Sequence, residues 1–261
     1  MRRILNCSIL LAMLALCGCR LTEAEEFNPT ALGYNLSRTV EPAVSEAWAN
    51  VERMLHLSEY IEAGEDEREA VCDEYFYDVR IVERDVNVWQ LINSRYSVTI
   101  CTDGRPLTQT GAEWTYRHSG REYVDEEFPT VRCVAADKYE VHVPQHGCET
   151  FYGDFSLRVE GYDVTVDGQT VRKPSVVCEC EYRRGWYYNE VDNCHVRTLK
   201  PLKYLPENGG GLIEGRVSMT VTLDGETLSP EAEFASSGRV TVWGGAGNAY
   251  QKEYGWEYYY W

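Results

Sequence analysis

The apolar positions of the chain follow three rhythms. Residues 4–16 are almost continuously apolar, residues 44–61 repeat at intervals of three and four, and from about residue 79 the period falls to two. Intervals of three and four put side chains on one face of a helix, whereas alternation puts them on one face of a strand. The middle segment shows the helical form, with Val44, Ala47, Trp48, Val51, Met54, Leu55, Ser58 and Ile61 sharing a face. Pro42 suits a first helical turn, where its missing N–H is not needed, and Gly64 stands where a helix stops. Asp66 and Glu69 have capping-box spacing ahead of Ala70 and Val71, which predicts a second short helix through about Tyr75. Residues 19–40 carry little periodicity and read as a tether, so 41–78 is the helical segment.

Beyond it, β-branched and aromatic residues alternate with polar ones. Strands are predicted at Val79-Ile81, Val86-Val88, Val98-Ile100, Val131-Cys133, Tyr139-Val143, Phe155-Val159, Val164-Val166, Val176-Cys180, Val217-Val221 and Val240-Val242, and in the aromatic tail. Asp103-Gly104, Asp167-Gly168 and Asp224-Gly225 each follow a strand pattern and tolerate the positive φ of a tight hairpin turn. Their spacing is too uneven for an internal repeat. Pro201, Pro206 and the glycines at 209–211 mark a break in residues 79–261, read as one long loop rather than a domain boundary. The expected fold is mainly β: antiparallel sheet or sheets, a β-meander or sandwich-like, preceded by an N-terminal amphipathic helix packed on the sheet.

The apolar run at 4–16 is too short to cross a bilayer, which takes about 20 residues. Arg2 and Arg3 precede it, which gives residues 1–18 the layout of a signal peptide. The run ends in Leu16-Cys17-Gly18-Cys19, small residues before a cysteine. This resembles the lipobox of bacterial lipoproteins, and the resemblance implies that Cys19 is the lipidated residue. Arg20 is not the aspartate that favours inner-membrane retention in enteric bacteria, and Glu23-Ala24-Glu25-Glu26 resembles the acidic tether of Bacteroidota surface lipoproteins. A solvated charged linker is the plain alternative for those four residues. The resemblance covers residues 1–26 alone and implies an outer-membrane, lipid-anchored protein, exposed at the cell surface if the tether reading holds.

Charge narrows the partners. The net charge of −17 becomes −19 once Arg2 and Arg3 are removed, so no nucleic acid is expected as a partner. Seven of the ten cysteines follow Cys19, an odd number that forbids complete internal pairing and predicts buried free thiols.

Candidate chemistry is sparse. Cys178-Glu179-Cys180 with Cys194-His195 offers three thiols and an imidazole, the donors of a tetrahedral zinc site. Alternation on a strand, however, points Cys178 and Cys180 to the same side as Val176 and Tyr182, which reads as a core stripe, so no metal is assigned. His142, His146 and Cys148 read as turn histidines beside a buried thiol. No Gly-x-Ser-x-Gly elbow or phosphate-cradling loop occurs, and no catalytic residue is assigned. Trp186, Trp256, Tyr258 and Tyr260 could stack on sugar faces or anchor a partner, and equally could pack as a closing strand.

The expectation is a non-enzymatic envelope lipoprotein with a binding or structural role. Its partners are the membrane, through the lipid, and a glycan or envelope protein; no cofactor is expected. The alternatives are a surface glycan-processing hydrolase and a fimbrial or adhesin subunit.

Overall fold

A computed structural model of the chain describes residues 29–94, 97–119, 128–144, 151–184, 191–206, 210–223, 226–236, 238–243 and 252–255. Two helices come first, α1 (Pro29–Glu62) and α2 (Glu65–Tyr75). Helix α1 begins earlier than the apolar pattern suggests, so residues 29–40 are helical as well. Pro29, not Pro42, takes the opening position, and Pro42 lies inside the helix. There it deprives the Arg38 carbonyl of its i+4 donor. Gly64 ends the first helical run, and its N–H donates to the Glu67 carboxylate at 3.4 Å at the start of α2. That carboxylate supplies one half of a capping box; glycine has no side chain for the other half. No residue of α2 is buried.

The strands are β1 (Arg80–Asp85), β2 (Val88–Ile92), β3 (Ser97–Cys101), β4 (Glu113–Ser119), β5 (Thr130–Ala135), β6 (Lys138–Val143) and β7 (Phe151–Val166). They continue as β8 (Gln169–Arg184), β9 (Val191–Leu205), β10 (Gly211–Leu223), β11 (Glu226–Leu228), β12 (Glu231–Phe234), β13 (Arg239–Trp243) and β14 (Lys252–Gly255). All belong to one antiparallel sheet that follows chain order, except that β11 pairs only with β10 and β12 takes the next place. Among the described residues β1 and β14 do not pair, so the sheet is open. It is a meander, not a sandwich.

Local chemistry explains several corners. Val86 lies in the β1–β2 turn rather than in a strand and is 79% exposed, while Asn87 takes φ 62° beside it. Asp167 and Gly168, with φ of 50° and 77°, close the sixteen-residue strands β7 and β8 as a two-residue hairpin. Asp103-Gly104 does not close a hairpin. It belongs to an irregular segment between β3 and β4, where the Asp103 carboxylate accepts from the backbone N–H of Arg105 and of Glu113, both at 3.1 Å. Asp224-Gly225 lies outside the described residues. Across the Pro/Gly break, Leu205 of β9 stands opposite Gly211 of β10, so the sheet runs through it.

Alternation gives the central strands a buried and a wet side, as in β6, where Tyr139, Val141 and Val143 are buried and Lys138, Glu140 and His142 are exposed, whereas β1 buries no residue fully. The buried sides form one apolar cluster with Val40, Ala43, Val44, Ala47, Trp48, Val51, Met54 and Leu57 of α1. Each large side chain so buried contributes about 1.5–3 kcal/mol. Polar contacts join the same partners. The Tyr204 hydroxyl donates to Ser45 Oγ at 2.9 Å, Arg53 Nη1 to the Tyr116 hydroxyl at 2.6 Å, and the Leu107 N–H to Ser58 Oγ at 3.0 Å.

Candidate functional site

The wet side of β5–β9 carries the most organised polar surface. Antiparallel register places Thr130, His142, Asp154, Glu181 and Arg197 side by side across five strands. A parallel row holds Arg132, Glu140, Ser156 and Glu179. Adjacent members of a row are about 4.8 Å apart, and the rows lie about 7 Å apart along the strands. Between them runs a groove of about 620 Å³. A smaller hollow of about 280 Å³ shares His142, Asp154 and Glu181 with it and extends to His195.

An irregularity in the sheet lies under the groove. Cys178 pairs with Leu202 and Glu181 with Arg197, so residues 198–201 of β9 face only residues 179–180 of β8. This bulge breaks the backbone ladder, and the Cys180 N–H donates to Thr198 Oγ1 at 2.9 Å instead. Bulges bend a strand and re-aim its side chains. Here the bulge adds the Thr198 hydroxyl to the groove beside Arg197.

Most charges in the groove are paired. His142 Nδ1 lies 2.5 Å from Asp154 Oδ1, His195 Nε2 lies 3.0 Å from Glu181 Oε1, and Arg132 reaches Glu113 at 3.3 Å and Glu140 at 3.9 Å. All are open to water, so each pair contributes about 0–1 kcal/mol. They orient the face more than they stabilise the fold. Among the described residues, Glu179 and Arg197 have no ion-pair partner.

The cysteine set named from sequence is divided between the two sides of the sheet. Cys178, Cys180 and Cys194 are buried, whereas His195 points to the wet side and pairs with Glu181. Burial pushes the Cys194 thiol up to about 12 and lifts that of Cys178 well above its ordinary value. The Cys180 thiol is lowered, because hydrogen bonds from Cys178 and Thr198 outweigh its burial. Among the described residues no group of three or more His, Cys, Asp or Glu could hold a metal ion. The six described cysteines, Cys72, Cys101, Cys133, Cys178, Cys180 and Cys194, are free thiols. Cys19, His146, Cys148, Trp186, Trp256, Tyr258 and Tyr260 lie outside the described residues.

A second polar cluster joins α1 to β9 and β10. The Leu212 N–H donates to Glu41 Oε2 at 3.4 Å, one helical turn from Ser45 and its bond with Tyr204. Gly210, at φ 74°, leaves room for the Tyr204 hydroxyl, which would stand 1.9 Å from a Cβ at that position. Burial raises the Glu41 carboxyl to about 7, against a smaller downward pull from the Leu212 N–H.

Sequence reasoning missed the groove because its residues are ordinary polar members of alternating strands. Only the cross-strand register brings them together. No family model matches the chain, and no curated protein or solved structure matches it.

Proposed function

We propose that the chain is an exported envelope lipoprotein, held at the outer membrane by acyl chains on Cys19, whose sheet binds an envelope component without transforming it. The observation that carries the binding role is the groove across β5–β9, which presents ordered, mostly paired polar groups on an accessible face. The side chains of its His142–Asp154 pair are 57% and 78% exposed. Both side chains are therefore within reach of a bound partner.

In this reading the amphipathic stripe of α1 docks on the inner side of the sheet and leaves the outer side free. The shared apolar cluster and the Tyr204–Ser45 and Arg53–Tyr116 bonds support that placement. Pro29 lies ten positions after Cys19, with nine residues between them, so α1 starts within about 35 Å of the anchor.

The test is photo-crosslinking in intact cells, with a photoreactive residue at Glu140 and a control at Glu83 on β1. A product specific to position 140 is expected. Equal labelling at both positions, or none at either, counts against a binding face.

A further inference from the structure

We propose that the groove across β5–β9 takes a neutral oligosaccharide, an inference that rests on the envelope-binding role above. The first support is charge. Three of the groove's four carboxylates have a cation or imidazole beside them: Arg132 for Glu140, His142 for Asp154 and His195 for Glu181. The uncommitted groups, Glu179 and Arg197, are of opposite sign. The groove sets four carboxylates, Glu140, Asp154, Glu179 and Glu181, against two arginines on a chain of net charge −17, so a polyanion is repelled and a polycation is the competing occupant that the lysine probe tests.

The second support is the alternation of donors and acceptors. A guanidinium only donates and a carboxylate only accepts, while each sugar hydroxyl does both and can bridge neighbours of the two kinds. Hydrogen bonds to charged groups are the stronger ones, which compensates for the lack of an aromatic platform among the residues lining the groove. Thr130 and Ser156 add hydroxyls that match either role.

The third support is shape. Five strands at about 4.8 Å spacing make a track of about 19 Å that crosses the sheet, long enough for several sugar units. A peptide fits this surface less well. The backbone groups of central strands are already paired, so no strand can be added there. The apolar residues at the groove, Val141 and Phe155, have their side chains buried in the core, so they provide no anchor pocket.

The experiment titrates detergent-solubilised full-length protein with neutral gluco-, manno- and xylo-hexasaccharides, alongside acidic hexasaccharides and a lysine hexapeptide. Arg197→Ala and Glu179→Gln change exposed side chains, and circular dichroism would check that both variants fold. The expected result is binding of at least one neutral hexasaccharide, insensitive to salt and weakened about tenfold or more in each variant. Neutral-saccharide binding that both variants leave intact overturns the inference, as does binding of the acidic or lysine probes alone. If the position-140 crosslink captures a protein and no hexasaccharide binds at millimolar concentration, the inference falls and the envelope-binding role stands. If neither crosslink nor saccharide binding occurs, both fall.

Discussion

Glu41 ties the stability of the fold to pH. In the unfolded chain its carboxyl titrates at an ordinary 4.5, and in the folded protein burial beside β10 raises this to about 7. The folded state therefore prefers the neutral acid. The stabilisation is fully present below pH 4.5 and is lost as the pH rises towards 7, because folding must then either bury the charge or take up a proton. A rise from 4.5 to about 7 corresponds to about 3 kcal/mol. That figure is an upper bound, since part of the group still meets water. Glu41→Gln keeps an oxygen to accept the Leu212 N–H and removes the titration. Denaturant melts of both proteins from pH 4 to pH 8 isolate this residue from all other carboxylates. The difference between them should be near zero at pH 4 and grow to as much as about 3 kcal/mol in favour of the glutamine variant at pH 8. A difference that stays flat across the range would refute the burial of Glu41 against β10.

Four further outcomes follow from the packing. Gly210→Ala forces a Cβ towards the Tyr204 hydroxyl at φ 74° and should destabilise by roughly 1–3 kcal/mol, a fall of several degrees in Tm. Met54→Ala should cost about 2–5 kcal/mol in denaturant melts, and a loss below about 1 kcal/mol would place that helix face outside the core. Asp154→Ala removes only an exposed partner of His142 and should change stability by less than about 1 kcal/mol by the same assay. Mass spectrometry after brief alkylation of the native protein should find exposed Cys101 modified well before Cys133, Cys178 and Cys194, which should react only after unfolding.

Much of the fold was legible because periodicity survives packing. The α1 stripe buries Val44, Ala47, Trp48, Val51 and Met54, and the alternation around Cys178, Cys180 and Tyr182 places all three on the buried side. Boundaries were harder. Pro42 mimics a helix start, while Gly33, Asn35 and Ser37 dilute the helical signal before it, so the Pro29 start was hidden. Strand β2 was misplaced by two residues because Val86 has strand propensity but occupies a turn, and β4, β9, β11 and β12 went unrecognised; Pro201, read as part of a loop, lies within β9. The groove left no trace in any single strand. Thr130, His142, Asp154, Glu181 and Arg197 are scattered over 68 positions, and only the pairing of five strands aligns them. The β9 bulge that places Thr198 against Cys180 is equally a product of pairing, since Thr198 has no local marker that predicts it.

The address of the protein is the claim on which its function depends. Mass spectrometry of the mature amino terminus, purified from the membrane fraction, tests it directly. The account predicts an amino-terminal peptide that begins at Cys19 and carries a thioether-linked diacylglycerol. An unacylated terminus, or a retained segment upstream of Cys19, would contradict it.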